Sequence, residues 1–235
     1  MAYGAGKVEK VNKIFGPGNR YVTAAKQIVS SESTAIDMPA GPSEVMILAD
    51  STARAEFVAA DVLSQAEHGP DSQAMVVCTS EEVAEKVLEA TLEAAKKLSR
   101  TSCVEASLAS SRIIVLPEVG QIIEFADEYA AEHLIIQMEN PWDVANRISC
   151  AGSIFVGEWT PESAGDYASG TNHTLPTSGW AHSCSGVNLS SFIKMITLQQ
   201  ISSEGIAALA PSIVAMAEAE GLEGHANAAK VRIGK

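Results

Sequence analysis

Four short tracts hold most of the side chains able to do chemistry. In Ser64-Gln65-Ala66-Glu67-His68-Gly69, Gln65 and His68 stand three residues apart at the end of a predicted helix, so both project from one face. An amide oxygen and an imidazole at that spacing can grip one metal ion. The same histidine can instead serve the helix C-terminus, where it meets free carbonyls and the negative end of the dipole. Glu132-His133 sets a carboxylate beside an imidazole where a helix meets a predicted strand. Extended neighbours point to opposite sides, so the pair is expected to address two faces of a substrate, one group on an oxygen and the other on water. Open α/β sheets place ligands at the carboxyl edge of their strands, which is the edge a site here would require. A helix-ending histidine and a solvated glutamate are the alternative.

The third tract, Gly165-Asp166-Tyr167-Ala168-Ser169-Gly170-Thr171-Asn172-His173, packs a carboxylate, hydroxyls, an amide and an imidazole between glycines. Asp166 suits a hard oxygen ligand and His173 a substrate contact, unless the segment merely forms Asx and Ser/Thr turns that satisfy its own backbone. The fourth, Glu218-Ala219-Glu220-Gly221-Leu222-Glu223-Gly224-His225, is acidic with one imidazole, which also describes a charged helix end. Four of the five histidines thus fall beside carboxylates or amides, and only His182 stands alone. A Zn2+ held by Gln65, His68, Asp166 and His225 would have nitrogen and oxygen ligands and no thiolate, which suits catalysis more than structure.

Two glycine tracts bear on phosphate binding. Gly4-Ala5-Gly6-Lys7 lacks a preceding strand and a following Ser or Thr, so it is not a phosphate loop. Phe15-Gly16-Pro17-Gly18-Asn19 opens a predicted helix at 20–29, where backbone N–H groups and the dipole favour an anion such as a pyrophosphate. The full dinucleotide fingerprint is missing, so NAD binding does not follow from this spacing.

These groups need a scaffold. Runs at 45–49, 74–78, 113–116, 134–138 and 153–156 are apolar nearly throughout, as strands of a parallel sheet covered on both faces are. Helical stretches at 53–67, 81–99, 119–129 and 142–149 alternate with them. The expected fold class is α/β, a parallel Rossmann-like sheet flanked by helices, with a small C-terminal helical appendage. A Gly-, Ser- and Thr-rich stretch at 161–186 reads as a long functional loop, and 189–230 as two or three helices. Expected domains are 1–44, 45–187 and 188–235.

Composition narrows the class. With 46% hydrophobic and 19% charged residues the 235-residue chain has material for a substantial core. A net charge of −13, with its Lys and Arg scattered, excludes nucleic acid as the expected partner. The four cysteines form no Cys-x-x-Cys pair, and neither a signal peptide nor a membrane span is legible, so the reading is a soluble protein of a reducing compartment. The sequons at Asn172 and Asn188 are discounted accordingly.

Taken together, IFGPGNRYVTAAK, IDMPAGPSEV, VLSQAEHGPDSQ, EHLI, PESAGDYASGTNH and EGLEGH closely resemble the histidinol dehydrogenase family, in order along nearly the whole chain. The resemblance implies oxidation of L-histidinol to L-histidine through L-histidinal with two NAD+, late in histidine biosynthesis, by a zinc-requiring homodimer. It makes Gln65, His68, Asp166 and His225 the zinc ligands. Ser43, His173 and Glu220, with the ligands and His133, would contact substrate. His133 would be the general base, Glu132 would activate water, and Asn19 would contact NAD. Glu220 and His225 would complete the partner subunit's site. The chain departs from the family pattern with Ala131 in place of a proline before Glu-His, and it lacks a substantial N-terminal portion, so 1–44 reads as the remnant of the NAD-binding domain. The alternative function is a zinc- and substrate-binding remnant without catalysis. The expected compartment is the cytoplasm, or a plastid if a missing N-terminus carried a transit peptide.

Overall fold

A computed structural model of the chain describes residues 1–234. In order it forms β1 (Lys13–Ile14), α1 (Arg20–Glu32), β2 (Ala35–Ile36), β3 (Glu44–Ala49), α2 (Ala55–Ala66), β4 (Gln73–Cys78), α3 (Glu81–Ala95), α4 (Thr101–Ser110), β5 (Arg112–Val115), α5 (Val119–Tyr129), β6 (His133–Gln137), α6 (Pro141–Ala145), β7 (Ser153–Val156), α7 (Glu162–Tyr167), α8 (Ser203–Ala219) and α9 (Glu223–Lys230). The chain divides into two compact units, Met1–Phe192 and Ile193–Lys235.

The first unit is the α/β fold expected. Its main sheet runs β5-β4-β3-β6-β7, every pairing parallel. The chain winds outward from β3 through β4 to β5, then returns to place β6 on the other side of β3. That reversal makes the β3/β6 boundary the switch point of a doubly wound sheet. The continuous apolar runs follow from burial on both faces. Val45, Ile47 and Ala49 of β3 join Val58 and Val62 of α2 and Val83 and Val87 of α3 in one core. Met46 and Leu48, on the opposite face, pack with Ile122, Ile123 and Ala126 of α5 and Val144 of α6. Each large side chain removed from water in this way stabilises the fold by about 1.5–3 kcal/mol.

Local signals set the ends. Ser80 caps α3 by accepting from the N–H of Val83, with Glu81 and Glu82 in the first turn, and Pro141 occupies the first turn of α6. Two helices were not expected from the sequence. The stretch assigned to one helix at 81–99 ends at Ala95, and a Ser-rich tract follows it as α4; the supposed loop at 161–186 begins with α7. In the second unit, α8 and α9 pack on each other as the expected helical appendage. Among the described residues no helix is long and apolar enough to cross a membrane.

Candidate active site

The side chains singled out by chemistry gather at the β3/β6 switch point, but at the amino ends of the strands. Ser43 directly precedes β3, Glu132 and His133 stand at the start of β6, and these two strands pair with Val45 opposite His133. The expected carboxyl edge is therefore wrong for this site. The reason lies in the crossover. Because α2 runs back from the end of β3, its C-terminus returns to the amino edge and delivers Gln65 in its last turn and His68 just beyond. Helix α7 supplies Glu162 and Asp166, four residues apart and so on one face.

Two close approaches depend on glycine. A Cβ on Gly152 would lie 2.5 Å from the Glu132 carbonyl oxygen, and one on Gly165 would lie 2.7 Å from the Phe155 ring. The first lets the chain before β7 run against the Glu132 backbone, and the second lets α7 settle on the sheet.

Glu132 and His133 do not address opposite sides. Glu132 occupies a bend before β6 rather than the extended strand, so strict alternation does not apply to it, and its Oε2 lies 3.6 Å from His133 Nδ1. Ser43 Oγ (2.7 Å) and the N–H of Glu44 (3.0 Å) both donate to that same oxygen. His133 Nδ1 is 3.3 Å from the Glu44 carbonyl. With Nδ1–H donating there, Nε2 is the unprotonated nitrogen, and it has no hydrogen-bond partner among the described residues. A buried imidazole with its basic nitrogen free is placed to take a proton.

One cavity of ≈ 280 Å³ is lined by Ser43, His68, Glu132, His133, Asp166 and His173, together with the Pro17 turn and Gly41. Gln65 lies behind it, within reach of Ser43 Oγ at 3.3 Å. An adjoining cleft of ≈ 470 Å³ runs past Ser43 and His68 to Asn19. Asn19 Oδ1 accepts from the N–H groups of Tyr21 and Val22 and so caps α1, leaving its amide N–H groups for any ligand. Glu220 and His225 belong to the second unit, at the C-cap of α8 and in the first turn of α9, both exposed. The first unit thus assembles every other residue singled out from the sequence.

Electrostatically the site is acidic and unbalanced. Glu44, Asp61, Glu132 and Glu162 are all buried, Glu162 completely, and among the described residues none pairs with a lysine or arginine. Burial, with the Glu132 charge beside it, pushes the Glu44 carboxyl up to about 7. Burial and the Glu162 charge do the same to Asp61, also to about 7. Burial raises Glu132 too, against the opposing influence of His133 and Ser43. His68 is raised chiefly by its contact with Glu162, 3.3 Å from Nε2. Uncompensated buried carboxylates are costly, and a divalent cation is the natural counter-charge. Gln65, His68 and Asp166 supply oxygen and nitrogen donors of the kind Zn2+ accepts, and both oxygens of the buried Glu162 beside them lack a hydrogen-bond partner among the described residues, so the residues present fit that ion.

Sequence reasoning missed Glu44, Asp61 and Glu162. The first two are hidden in apolar runs. Glu162 carried a readable signal, its four-residue spacing from Asp166.

Fold and cluster define a class: a doubly wound α/β protein with a carboxylate–imidazole centre at the switch point of its sheet. The histidinol dehydrogenase family profile matches residues 1–233. Histidinol dehydrogenase of Vibrio vulnificus (strain CMCP6) is 53% identical over 237 aligned residues, covering 100% of this chain and 55% of the relative. That of Bacteroides thetaiotaomicron is 54% identical over 233 residues, covering 99% and 54%. The crystal structure of histidinol dehydrogenase from Elizabethkingia anophelis superimposes with a TM-score of 0.95 at 52% identity, over 99% of this chain and 54% of that one. This chain belongs to the histidinol dehydrogenase family. It spans about half the length of the relatives it matches. Those relatives are bacterial, so the plastid variant of the compartment reading is not borne out.

Proposed function

We propose that the chain carries the substrate and metal half of a histidinol dehydrogenase site and oxidises L-histidinol to L-histidine through L-histidinal with two NAD+. The observation that carries this reading is the single cavity in which His133 presents a free Nε2 beside Glu132, Ser43, His68 and Asp166. In the first oxidation His133 Nε2 takes the hydroxyl proton while the carbinol hydride leaves to NAD+, giving the aldehyde. Glu132 then takes a proton from the water that adds to the aldehyde carbon. After His133 has released its first proton to solvent, the hydrate, left as its monoanion by the proton given to Glu132, gives its remaining C–H hydride to a second NAD+ and its hydroxyl proton to His133, and becomes the carboxylate. Ser43 holds the Glu132 carboxylate by its 2.7 Å hydrogen bond, and His173 at the rim contacts the substrate. Gln65, His68, Asp166 and His225 would hold zinc, which when bound supplies a Lewis acid that orients the substrate's imidazole and amine. Asn19 would contact NAD from the adjoining cleft. A homodimer, in which a second copy brings Glu220 and His225, completes the reading.

Incubation of the chain with L-histidinol, NAD+ and Zn2+, followed by the absorbance of reduced nicotinamide, tests it. Two reduced cofactors per histidinol consumed are expected. Histidinol binding by calorimetry without any reduction of NAD+ would overturn the catalytic reading in favour of a binding remnant.

A further inference from the structure

Glu44 is a buried side chain that the proposed mechanism leaves without a task, although three of its groups make contacts around the cavity. Its N–H donates to Glu132 Oε2 at 3.0 Å, its carbonyl lies 3.3 Å from His133 Nδ1, and its own Oε1 accepts from the Ser178 N–H at 2.8 Å. The first two contacts are made by the backbone. The third belongs to the side chain, and it reaches the stretch that follows His173.

Along β3 Glu44 shares a face with Met46, two residues on, and that face packs with α5. There the Glu44 carboxylate meets a strap. His173 is exposed, and Thr174, Leu175, Pro176 and Thr177 directly after it are all buried. The strap is pinned to the entry of β3 at two points, by the Gly41 N–H on Thr177 Oγ1 at 2.6 Å and by the Ser178 N–H on Glu44. The Val187 N–H donates to the Thr174 carbonyl at 3.0 Å, and beside it a Cβ on Gly186 would meet Leu175 Cδ2 at 2.6 Å, so the strap is closed from that side as well. Ser178 holds φ at +55°, a conformation that costs a non-glycine residue energy and persists only where its surroundings fix it. His173 thus lines the cavity from the end of a fixed segment.

We propose that Glu44 and Thr177 are positioning residues for substrate binding: by pinning the strap at 174–178 to the start of β3, they hold the His173 imidazole at the mouth of the cavity. This rests on the reading of His173 as a substrate contact. Neither side chain needs to touch the substrate. Their effect passes through His173, so it should vanish when that imidazole is absent.

Titration of the full chain with L-histidinol by calorimetry, in the presence of Zn2+, reads affinity and the number of binding sites separately. In Glu44→Ala and Thr177→Val, affinity should fall about 10- to 100-fold at an unchanged number of sites, as for loss of a hydrogen bond to the ligand. Glu44→Gln, whose amide oxygen still accepts from the Ser178 N–H, should stay within about threefold of the unaltered chain. His173→Ala should weaken binding as much as Glu44→Ala does, and the double variant no more than either alone. If Glu44→Ala fails to fold, Thr177→Val, which keeps the shape of its side chain, decides by the same comparison. Fewer sites at unchanged affinity would reduce both residues to a structural role and overturn the proposal. So would losses that add in the double variant, while leaving the His173 contact standing. Unchanged affinity in His173→Ala, or no histidinol bound by the unaltered chain, would overturn that contact and this proposal together.

Discussion

Two regions of the first unit bury charge, and they do so in opposite ways. Beneath the Gly16-Pro17 turn, Lys26 and Asp37 form an ion pair at 2.5 Å, with side chains 6% and 1% exposed. Lys26 also donates to the Gly16 carbonyl and Asp37 accepts from the Gly16 N–H, both at 2.7 Å, so the clamp is closed and neutral. Around the β3/β6 switch point, by contrast, Glu44, Asp61, Glu132 and Glu162 are buried without a lysine or arginine partner among the described residues; imidazoles stand beside Glu132 and Glu162, and Asp61 has only the Gln137 amide. The clamp holds a turn in place. The cluster has no lysine or arginine partner among the described residues, as the proposed cation site requires.

The largest effect is expected where the cluster does chemistry. His133→Asn removes the free Nε2 base and should lower histidinol turnover by about 10²–10⁴-fold with a far smaller change in KM. A similar fall in a variant of the clamp that leaves the fold intact would erase the distinction between the two regions. In the clamp itself, Lys26→Met leaves Asp37 buried and unpaired and should cost about 3–5 kcal/mol of stability, read by urea unfolding. The cluster should respond with the opposite sign. Glu44→Gln removes a buried charge while still accepting from the Ser178 N–H, a contact of 2.8 Å, and should stabilise the metal-free chain at pH 8 on the order of 2–3 kcal/mol, and very little at pH 4. Destabilisation by Glu44→Gln at pH 8 would mean the carboxylate is compensated after all. The smallest effect is geometric. Gly165→Ala pushes α7 from Phe155, and should cost about 1–3 kcal/mol together with a measurable loss of zinc affinity.

Much of this arrangement was readable beforehand, for identifiable reasons. Strands β3, β4 and β6 are apolar over nearly their whole length because both faces of the sheet are covered, and length with flanking turns separates such runs from helices. Gln65 with His68, and Glu132 with His133, are short-range pairs whose chemistry needs no tertiary information. Ser43 entered through family resemblance, since a lone serine before a strand says little by itself. What escaped depends on tertiary placement. The edge of the sheet that receives the cluster is fixed by the return of α2, and the bend at Glu132 defeats the strand alternation that would have separated it from His133. Glu44, at the start of β3, and Asp61, in the middle of α2, look like ordinary polar residues beside apolar ones until burial is known. Helix α4, with Ser102, Ser107 and Ser110, has weak helical propensity and is held by packing, including the Ser107 hydroxyl on the Ser72 carbonyl at 2.9 Å.

The central claim is that the cluster's uncompensated carboxylates are a cation site, and unfolding free energy measured against pH with and without Zn2+ tests it most directly. Glu44 and Asp61, raised to about 7 in the folded chain, bind more protons there than in the unfolded chain between their ordinary values near 4 and about 7. Stability of the metal-free chain should therefore be full below that window and fall as pH rises through it. Zinc, bound where His68 and the carboxylates are deprotonated, should restore the loss increasingly from about pH 6 upward. A metal-free curve that is flat or rises between pH 4 and 7, with no added stability from zinc at pH 8, would contradict the account.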